Sequence, residues 1–293
     1  MKQSDTDISH PDKVLFPDED ITKADVAQYY EKIAPHMLAF ITHRPITLKQ
    51  FAQGIGGPHF FTKHVPDHFP DSINRVDVPM KSRDGESMQM ITVKNKQELI
   101  YLANQNTIEC HVGLSEADNL MHPDQLIIDL DPSDNDFEKV RESAFALKSL
   151  LDEQRIHAFV KTTGSRGLHI HIPLQGTITF DALKHAANAL GEALHARCPD
   201  ITTLEQRKAN RHNNVFIDYF RNDYAMTVVA PYSLRALTHA PVATPISWEE
   251  LGRQSLGPQS YNLANIFRRL GQKDSPWKAF NRHRVKLSSL PGA

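Results

Sequence analysis

Apolar residues recur at helical spacing after Thr22, where Thr22-Lys23-Ala24-Asp25 forms a variant capping box and Val26, Tyr29, Tyr30, Ile33 and Met37 follow on one face. The pattern predicts a helix that lasts until Pro45, then a strand over 46–51. A glycine-rich turn follows, Gly54-Ile55-Gly56-Gly57-Pro58, and the adjacent aromatics Phe60 and Phe61 fall outside any alternating strand. Two β-like runs, 76–79 and 88–93, flank a polar stretch at 81–86 that reads as a hairpin tip. Residues 97–106 predict a short helix and 108–112 a strand. Beyond residue 125 the alternation sharpens. Strands are expected over 126–131, 157–161, 168–173, 215–220 and 226–229, and long amphipathic helices over 137–154 and 180–197. Short strands mixed with two long helices predict an α+β (mixed α/β) fold. No repeat, low-complexity segment or linker interrupts the chain, so one catalytic unit is expected over 1–293. Its parts would be an N-terminal portion to about 120, a central portion over 121–246 and a more helical extension over 247–293.

Composition narrows the classes. The 293 residues are 40% hydrophobic and 23% charged, which excludes disorder and fibrous repeats. A net charge of −2 excludes a global cationic field, so a polyanion would have to be held by local basic patches. Charge is uneven: Arg268, Arg269, Lys273, Lys278, Arg282, Arg284 and Lys286 crowd the last thirty residues against Asp274 alone. Cys110 and Cys198 build neither a disulfide framework nor a four-ligand zinc set. No apolar run approaches the roughly 20 residues of a bilayer span, and the N-terminus has no signal core. The expectation is a soluble, cytosolic protein with no membrane partner.

The most informative segment is Gln125-Leu126-Ile127-Ile128-Asp129-Leu130-Asp131-Pro132. Strand alternation puts Asp129 and Asp131 on one face and Ile128 and Leu130 on the other. Two carboxylates ending an apolar strand are costly unless positive charge sits between them, which a divalent cation supplies. The plain alternative is a strand end turning into solvent. Asp218, in Val215-Phe216-Ile217-Asp218-Tyr219-Phe220, is a third acid in an apolar strand. Three such acids from two strands can bracket a pair of metals for phosphoryl or nucleotidyl transfer; pairing of Asp218 with Arg211 or Arg221 is the bland reading. Gly164 and Gly167, in Thr162-Thr163-Gly164-Ser165-Arg166-Gly167, permit a tight turn whose backbone N–H groups can face an anion. Thr163, Ser165 and Arg166 add donors there, and His169 and His171 share the polar face of the strand that follows. A β-hairpin with surface histidines would produce the same string. Arg235 could clamp a triphosphate, or be an ordinary surface arginine. Phe60 and Phe61 could stack on unpaired bases, or one could be core.

Taken together these residues resemble the polymerase domain of bacterial ligase D, the DNA end-joining ligase, within the archaeo-eukaryotic primase superfamily. The resemblance runs from about His10 to about Leu263. It rests on Leu48-Lys49, Gly54-Ile55-Gly56-Gly57, Phe60-Phe61-Thr62-Lys63, Asp129-Leu130-Asp131-Pro132, the 162–169 turn, Asp218-Tyr219-Phe220-Arg221-Asn222 and Tyr232-Ser233-Leu234-Arg235-Ala236. It implies a central, mostly antiparallel sheet flanked by helices. It also implies a polymerase that adds nucleotides, preferably ribonucleotides, to 3′ ends at DNA breaks or gaps during non-homologous end joining. Asp129, Asp131 and Asp218 would hold two divalent ions, Mn2+ or Mg2+. Lys49, Thr163, Ser165, Arg166, His169, Arg211 and Arg235 would bind the NTP or dNTP, with His169 counted as catalytic. Lys13 and Lys23 would take the 5′-phosphate of a DNA end, Phe60 and Phe61 would stack where the template splays, and Lys63 would touch DNA. The implied partners are a ligase and a DNA-end-bridging protein, and the implied location is the cytoplasm, at the bacterial nucleoid.

Some positions depart from the family pattern. Gln50 and Ala52 replace Arg and Pro, Cys110 and Gly113 replace aromatics, and the stretch before Asp218 lacks a Gly-Lys pair. None touches the three acids. With no ligase or nuclease segment, the chain is expected to be a stand-alone member or an excised domain. Two other classes compete: a non-catalytic module binding 5′-phosphorylated DNA ends, and a metal-dependent phosphoesterase using the same acids.

Overall fold

A computed structural model describes residues 7–81 and 85–291. The chain opens with a short antiparallel pair, β1 (Val14–Phe16) and β2 (Ile21–Thr22), leading into α1 (Lys23–Ile41). The expected capping box is present: the Thr22 hydroxyl accepts from Asp25 N–H, and the Asp25 carboxylate accepts from Thr22 N–H at 2.8 Å. Val26, Tyr29, Tyr30, Ile33 and Met37 line the buried face of α1. The Tyr29 and Tyr30 hydroxyls donate to the Tyr232 and Ile108 carbonyls at 2.7 and 2.6 Å. The helix stops at Ile41, before Pro45. Thr42 leaves helical geometry and returns its hydroxyl to the Leu38 carbonyl at 2.7 Å, while Arg44 is drawn into a two-pronged pair with Asp124.

Two six-stranded sheets carry the remainder, and the α+β class read from the pattern is the one observed. The first comprises β3 (Ile46–Gln50), β4 (Phe60–Thr62), β5 (Arg75–Pro79), β6 (Ser87–Ile91), β7 (Thr107–Gly113) and, from late in the chain, β13 (Thr227–Val229). Its strands are ordered β13-β7-β3-β6-β5, with β4 also paired to β3 and every pairing antiparallel. Helix α2 (Lys96–Asn104) packs against α1 and β7. The hairpin expected between β5 and β6 is there, although residues 82–84 of its tip lie outside the described residues.

The second sheet runs β11-β12-β8-β10-β9-β14. Its strands are β8 (Gln125–Pro132), β9 (Phe159–Thr162), β10 (Leu168–Pro173), β11 (Thr202–Thr203), β12 (Val215–Asp218) and β14 (Pro245–Ile246). Only β11 and β12 are parallel. Helices α3 (Phe137–Glu153) and α4 (Phe180–Arg197) pack against each other and against β8. Leu126, Ile128 and Leu130 of β8 and Leu168, Ile170 and Ile172 of β10 are fully buried, each such side chain contributing about 1.5–3 kcal/mol. That apolar face leaves the opposite face of β8 and β10 for Asp129, Asp131, His169 and His171.

Two expectations need correction. Phe60 and Phe61 belong to a strand, pairing with Gln50 and Lys49 of β3. Alternation missed them because β4 is three residues long and both rings are exposed, at 52% and 56%. The 215–220 strand ends at Asp218, whose own carboxylate accepts from Phe220 N–H at 2.9 Å and turns the chain. Beyond residue 247 the regular elements are all helical, and short, α5 (Trp248–Leu251) and α6 (Ile266–Gln272) among them. Specific anchors hold that segment, Arg269 on Glu250 at 2.8 Å and the Trp277 indole N–H on the Val160 carbonyl at 3.1 Å.

Candidate active site

Asp129 sits mid-sheet with a neighbour on either side. It lies opposite His169 of β10 and opposite Asp218 of β12, while Asp131 lies opposite Phe216. Directly opposed side chains have Cβ atoms about 4.5–5.5 Å apart, so one sheet face gathers Asp129, Asp131, Asp218 and His169. Each carboxylate turns to a separate partner. Asp129 meets His169 Nε2 at 3.5 Å, Asp131 meets Arg166 at 3.4 Å and Asp218 meets Arg221 Nε at 3.3 Å.

The electrostatics of this face are those of crowded acids. Burial pushes the Asp129 carboxyl up to about 6 against the pull of Arg221, Lys161 and Arg235. Asp131 and Asp218 are raised too, first by burial and then by the charge of Asp129. His169 is held well below the usual imidazole range, by burial first and by nearby cations second, so it is neutral. Across His169 from Asp129, on β9, lies Lys161, 0% exposed, with an ammonium that has no hydrogen-bond partner among the described residues.

These donors suit a hard divalent cation: three carboxylates, oxygen donors only, raised in pKa by burial and by one another's charge. Among the described residues, however, no three His, Cys, Asp or Glu side chains already converge as a cation cage. Arg221 lines the main cleft beside Asp129 and Asp131, and it also lines a depression that contains Asp218. The arginine weighed from sequence as a bland partner for Asp218 does pair with it, at 3.3 Å.

The main cleft holds about 440 Å³. Thr163, Ser165, Arg166, His169 and Arg235 line it together with Asp129 and Asp131, and Phe61 and Lys63 reach it from the first sheet. The turn after β9 is organised by Thr163, whose hydroxyl accepts from Ser165 and Gly167 N–H, both at 3.2 Å. Gly164 has φ +66°, and a side chain there would strike Arg235. Gly167 is tighter still, since a Cβ would come within 2.1 Å of the Leu130 carbonyl oxygen. Only glycine lets this turn press onto the acidic strand.

Sequence reasoning missed the group that organises the cations. Glu109 of β7 is buried and meets Lys49 at 3.3 Å, Arg235 at 3.2 Å and His111 at 2.9 Å, and it also accepts from Ala236 N–H. Burial opposes its charge, but the His111 hydrogen bond and the charges of Arg235, His111 and Lys49 outweigh that and hold it well below the usual carboxylate range. An acid inside the apolar run 108–112 was the available signal, the same one that marked Asp218. Lys49 sits behind the cleft wall, 5.3 and 5.8 Å from the Phe51 and Phe61 ring centres. Arg211 is outside the cleft lining, although its charge reaches Asp131. Its guanidinium lies 3.9 Å from the Phe216 ring centre and donates to the Glu205 and Gln206 carbonyls, leaving the residue 6% exposed.

Lys13 and Lys23 converge at a separate corner. Lys13 donates to the Ala52 carbonyl and to Asn106, and Lys23 donates to the Ser9 hydroxyl at 2.8 Å. Burial, and then the charge of Lys13, lowers the Lys23 ammonium below its ordinary range. Neither lysine makes an ion pair among the described residues; both ammonium groups are held by neutral oxygens.

The LigD primase-polymerase domain family matches residues 22–277. The chain is 30% identical over 285 residues to the multifunctional non-homologous end joining protein LigD of Pseudomonas aeruginosa, covering 96% of this chain and 34% of that protein. It is 29% identical over 274 residues to the bifunctional non-homologous end joining protein LigD of Bacillus subtilis, covering 93% of this chain and 43% of that one. The chain thus spans between a third and a half of the length of these relatives. Its structure superposes on the polymerase domain of Mycobacterium tuberculosis ligase D, solved in complex with DNA, with a TM-score of 0.87 and 28% identity, over 95% of this chain and 99% of that one. No helix among the described residues is long and apolar enough to cross a membrane.

Proposed function

Since this chain belongs to the LigD primase-polymerase domain family, we propose that it is a DNA-repair nucleotidyltransferase that extends 3′ ends at breaks or gaps during non-homologous end joining. The observation that carries the reading is the register placing Asp129 between His169 and Asp218, on the face of the cleft that also holds the Thr163 turn. The oxygen of a 3′-hydroxyl would attack the α-phosphorus of a bound nucleoside triphosphate and give up its proton to solvent water; the new P–O bond forms as the bond from the α-phosphorus to the bridging oxygen breaks, and pyrophosphate leaves with that oxygen. Divalent cations, Mn2+ or Mg2+, held by Asp129, Asp131 and Asp218, would supply charge neutralisation and Lewis acidity.

The chain's own groups do the rest. Arg235, aligned by Glu109 and by donation to the Thr163 carbonyl, presents its remaining guanidinium edge to the triphosphate. Ser165 and Arg166 border the same space and His169 closes its floor. Arg221, which pairs with Asp218 at 3.3 Å and lines the cleft, would serve the phosphate oxygens. Phe60 and Phe61, exposed beside Lys63, form the platform for an unpaired base, and Lys13 with Lys23 takes the 5′-phosphate across a gap. Ribonucleotide preference, cooperation with a ligase and an end-bridging protein, and a place at the nucleoid belong to the same proposal.

The test is a labelled gapped duplex bearing a 5′-phosphate, offered ribo- or deoxyribonucleotides with Mg2+ or Mn2+. Extension by ribonucleotides in Mn2+, lost in Asp129→Ala and reduced when the 5′-phosphate is removed, is the expected result. Phosphate release without extension would make the protein a phosphoesterase. Tight end binding, unchanged in Asp129→Ala and with no extension, would make it a binding module.

A further inference from the structure

A row of cross-strand neighbours runs over five strands of the second sheet: Asp218, Asp129, His169, Lys161 and Pro245. The proposed reaction uses the first three. Lys161, the fourth, has no part in it and is fully buried, with no carboxylate in salt-bridge contact among the described residues. A buried cation without a counter-charge is costly, so its place in this row calls for a physical reason.

The donors and acceptors on this face supply that reason. His169 turns Nε2 toward the Asp129 carboxylate at 3.5 Å, and its ring is neutral, so Nε2 carries the proton and Nδ1 is a lone-pair acceptor. Two residues along the strand, His171 sets Nδ1 2.9 Å from the Gln125 side-chain oxygen, which leaves its Nε2 an acceptor too. Both acceptors are buried and have no partner among the described residues. Lys161 Nζ is buried and unpartnered in the same way, and hydrogens are what it has to offer. Directly opposed residues hold their Cβ atoms about 4.5–5.5 Å apart, so Lys161 stands beside His169, and the two imidazole ring centres are 5.9 Å apart. Among charged side chains, Lys161 weighs most on both rings. Its other flank faces Pro245, whose side chain has no hydrogen-bonding group. Burial holds the Lys161 ammonium well below its ordinary range, yet the amine and the ammonium both have hydrogens to donate. One enclosed water satisfies all three groups: it accepts from Lys161 and donates one hydrogen to each imidazole, the about three bonds usual for a buried water.

We infer that Lys161 is a positioning residue: through that water it donates to His169 Nδ1 and so holds the His169 Nε2–H on the cleft side, where a triphosphate oxygen would receive it. A ring in the other tautomer would present a bare lone pair to the same oxygen, and the two lone pairs would repel. The effect on nucleotide rests on the function proposed above. The tautomer does not.

Three measurements on the full chain test it, with Lys161→Met as the variant, which removes the donor and nearly keeps the shape. Long-range proton–nitrogen correlation spectra of the metal-free, nucleotide-free protein report which nitrogen of His169 bears the hydrogen, its signals assigned by their loss in His169→Gln. The Nε2–H form alone is expected in the wild type, and a mixture of both tautomers in Lys161→Met. Calorimetric titration with ATP and Mg2+ should show about tenfold weaker binding in Lys161→Met, the loss of one charge-assisted hydrogen bond. Thermal melts should place Lys161→Met at or above the wild type, because methionine removes a buried cation without opening a cavity. A lysine that merely braced the sheet would instead lower the melting temperature and leave the tautomer alone. The inference is overturned by Nδ1–H in the wild type, by an unchanged tautomer in the variant, or by unchanged ATP affinity once the tautomer has shifted. The wild-type spectrum decides by itself if the variant misfolds. A wild type that shows the expected tautomer but neither binds ATP nor extends a primer would count against the proposed function, and the lysine's hold on the ring would still stand or fall on the spectra.

Discussion

Asp129 and Glu109 are both buried acids near the same cleft, and their environments drive them in opposite directions. Burial raises both. Around Glu109 three cationic or hydrogen-bonding side chains converge from β3, β7 and the loop after β13, and the carboxyl is held well below its usual range. Around Asp129 burial outweighs the pull of Arg221, Lys161 and Arg235, so its carboxyl rises to about 6, and its charge in turn raises Asp131 and Asp218. One acid has collected the cations it requires. The other sits among acids whose partners do not offset the cost of burial, and that cost is what a bound cation would relieve.

The largest effect expected from this contrast is on Asp129→Ala, which should cut nucleotide addition by roughly a thousandfold or more, about 4 kcal/mol of transition-state stabilisation, in a single-turnover extension assay. Glu109→Gln should act on stability as well, lowering it by on the order of 3 kcal/mol in urea unfolding, because Lys49 and Arg235 lose their buried counter-charge. If Glu109→Gln unfolds like the wild type, the hub is not what orders those cations.

The pH dependence has a definite sign. The folded carboxyl of Asp129, near 6, lies above the unfolded value of about 3.9. Its contribution to stability is therefore fully present below about pH 4 and is lost as pH rises through 6, amounting to at most about 3 kcal/mol. Asp131 and Asp218 shift the same way. Thermal melts of the metal-free protein should accordingly show a loss between pH 4 and 7 that shrinks in Asp129→Asn. Added Mn2+ should raise the melting temperature more at pH 7 than at pH 5, and equal shifts at both would sink the claim that these acids hold the ion.

The smallest effect concerns the roof over the Glu109 hub, where Phe61 stands 5.8 Å above Lys49 and 5.9 Å from His111. Phe61→Ala should weaken binding of a duplex with an unpaired template base by about 1–3 kcal/mol by fluorescence anisotropy, while leaving blunt duplex unaffected.

Much of this was legible in the chain. The alternation of 125–132 set Asp129 and Asp131 on one face, and the bounds of β10 and α4 coincide with those read from periodicity, because buried stripes impose period 2 or 3.6 on any sequence that forms them. The Thr163 turn was readable because its glycines have few substitutes. Glu109 was not, since its significance lies in partners 60 and 126 positions away that only folding brings near. The setting of Arg211 was not legible for the reverse reason: its bonds are to local carbonyls and a nearby ring, which a motif cannot distinguish from a ligand contact.

What the sequence determined by itself was which side chains can share a strand face, a matter of backbone geometry two residues at a time. What the tertiary structure alone decided was which charge each of them meets: a cluster of cations for Glu109, fellow acids for Asp129, Arg221 for Asp218. Those pairings arise from strand order and register between distant segments, and Coulomb interactions depend on distance in space rather than along the chain.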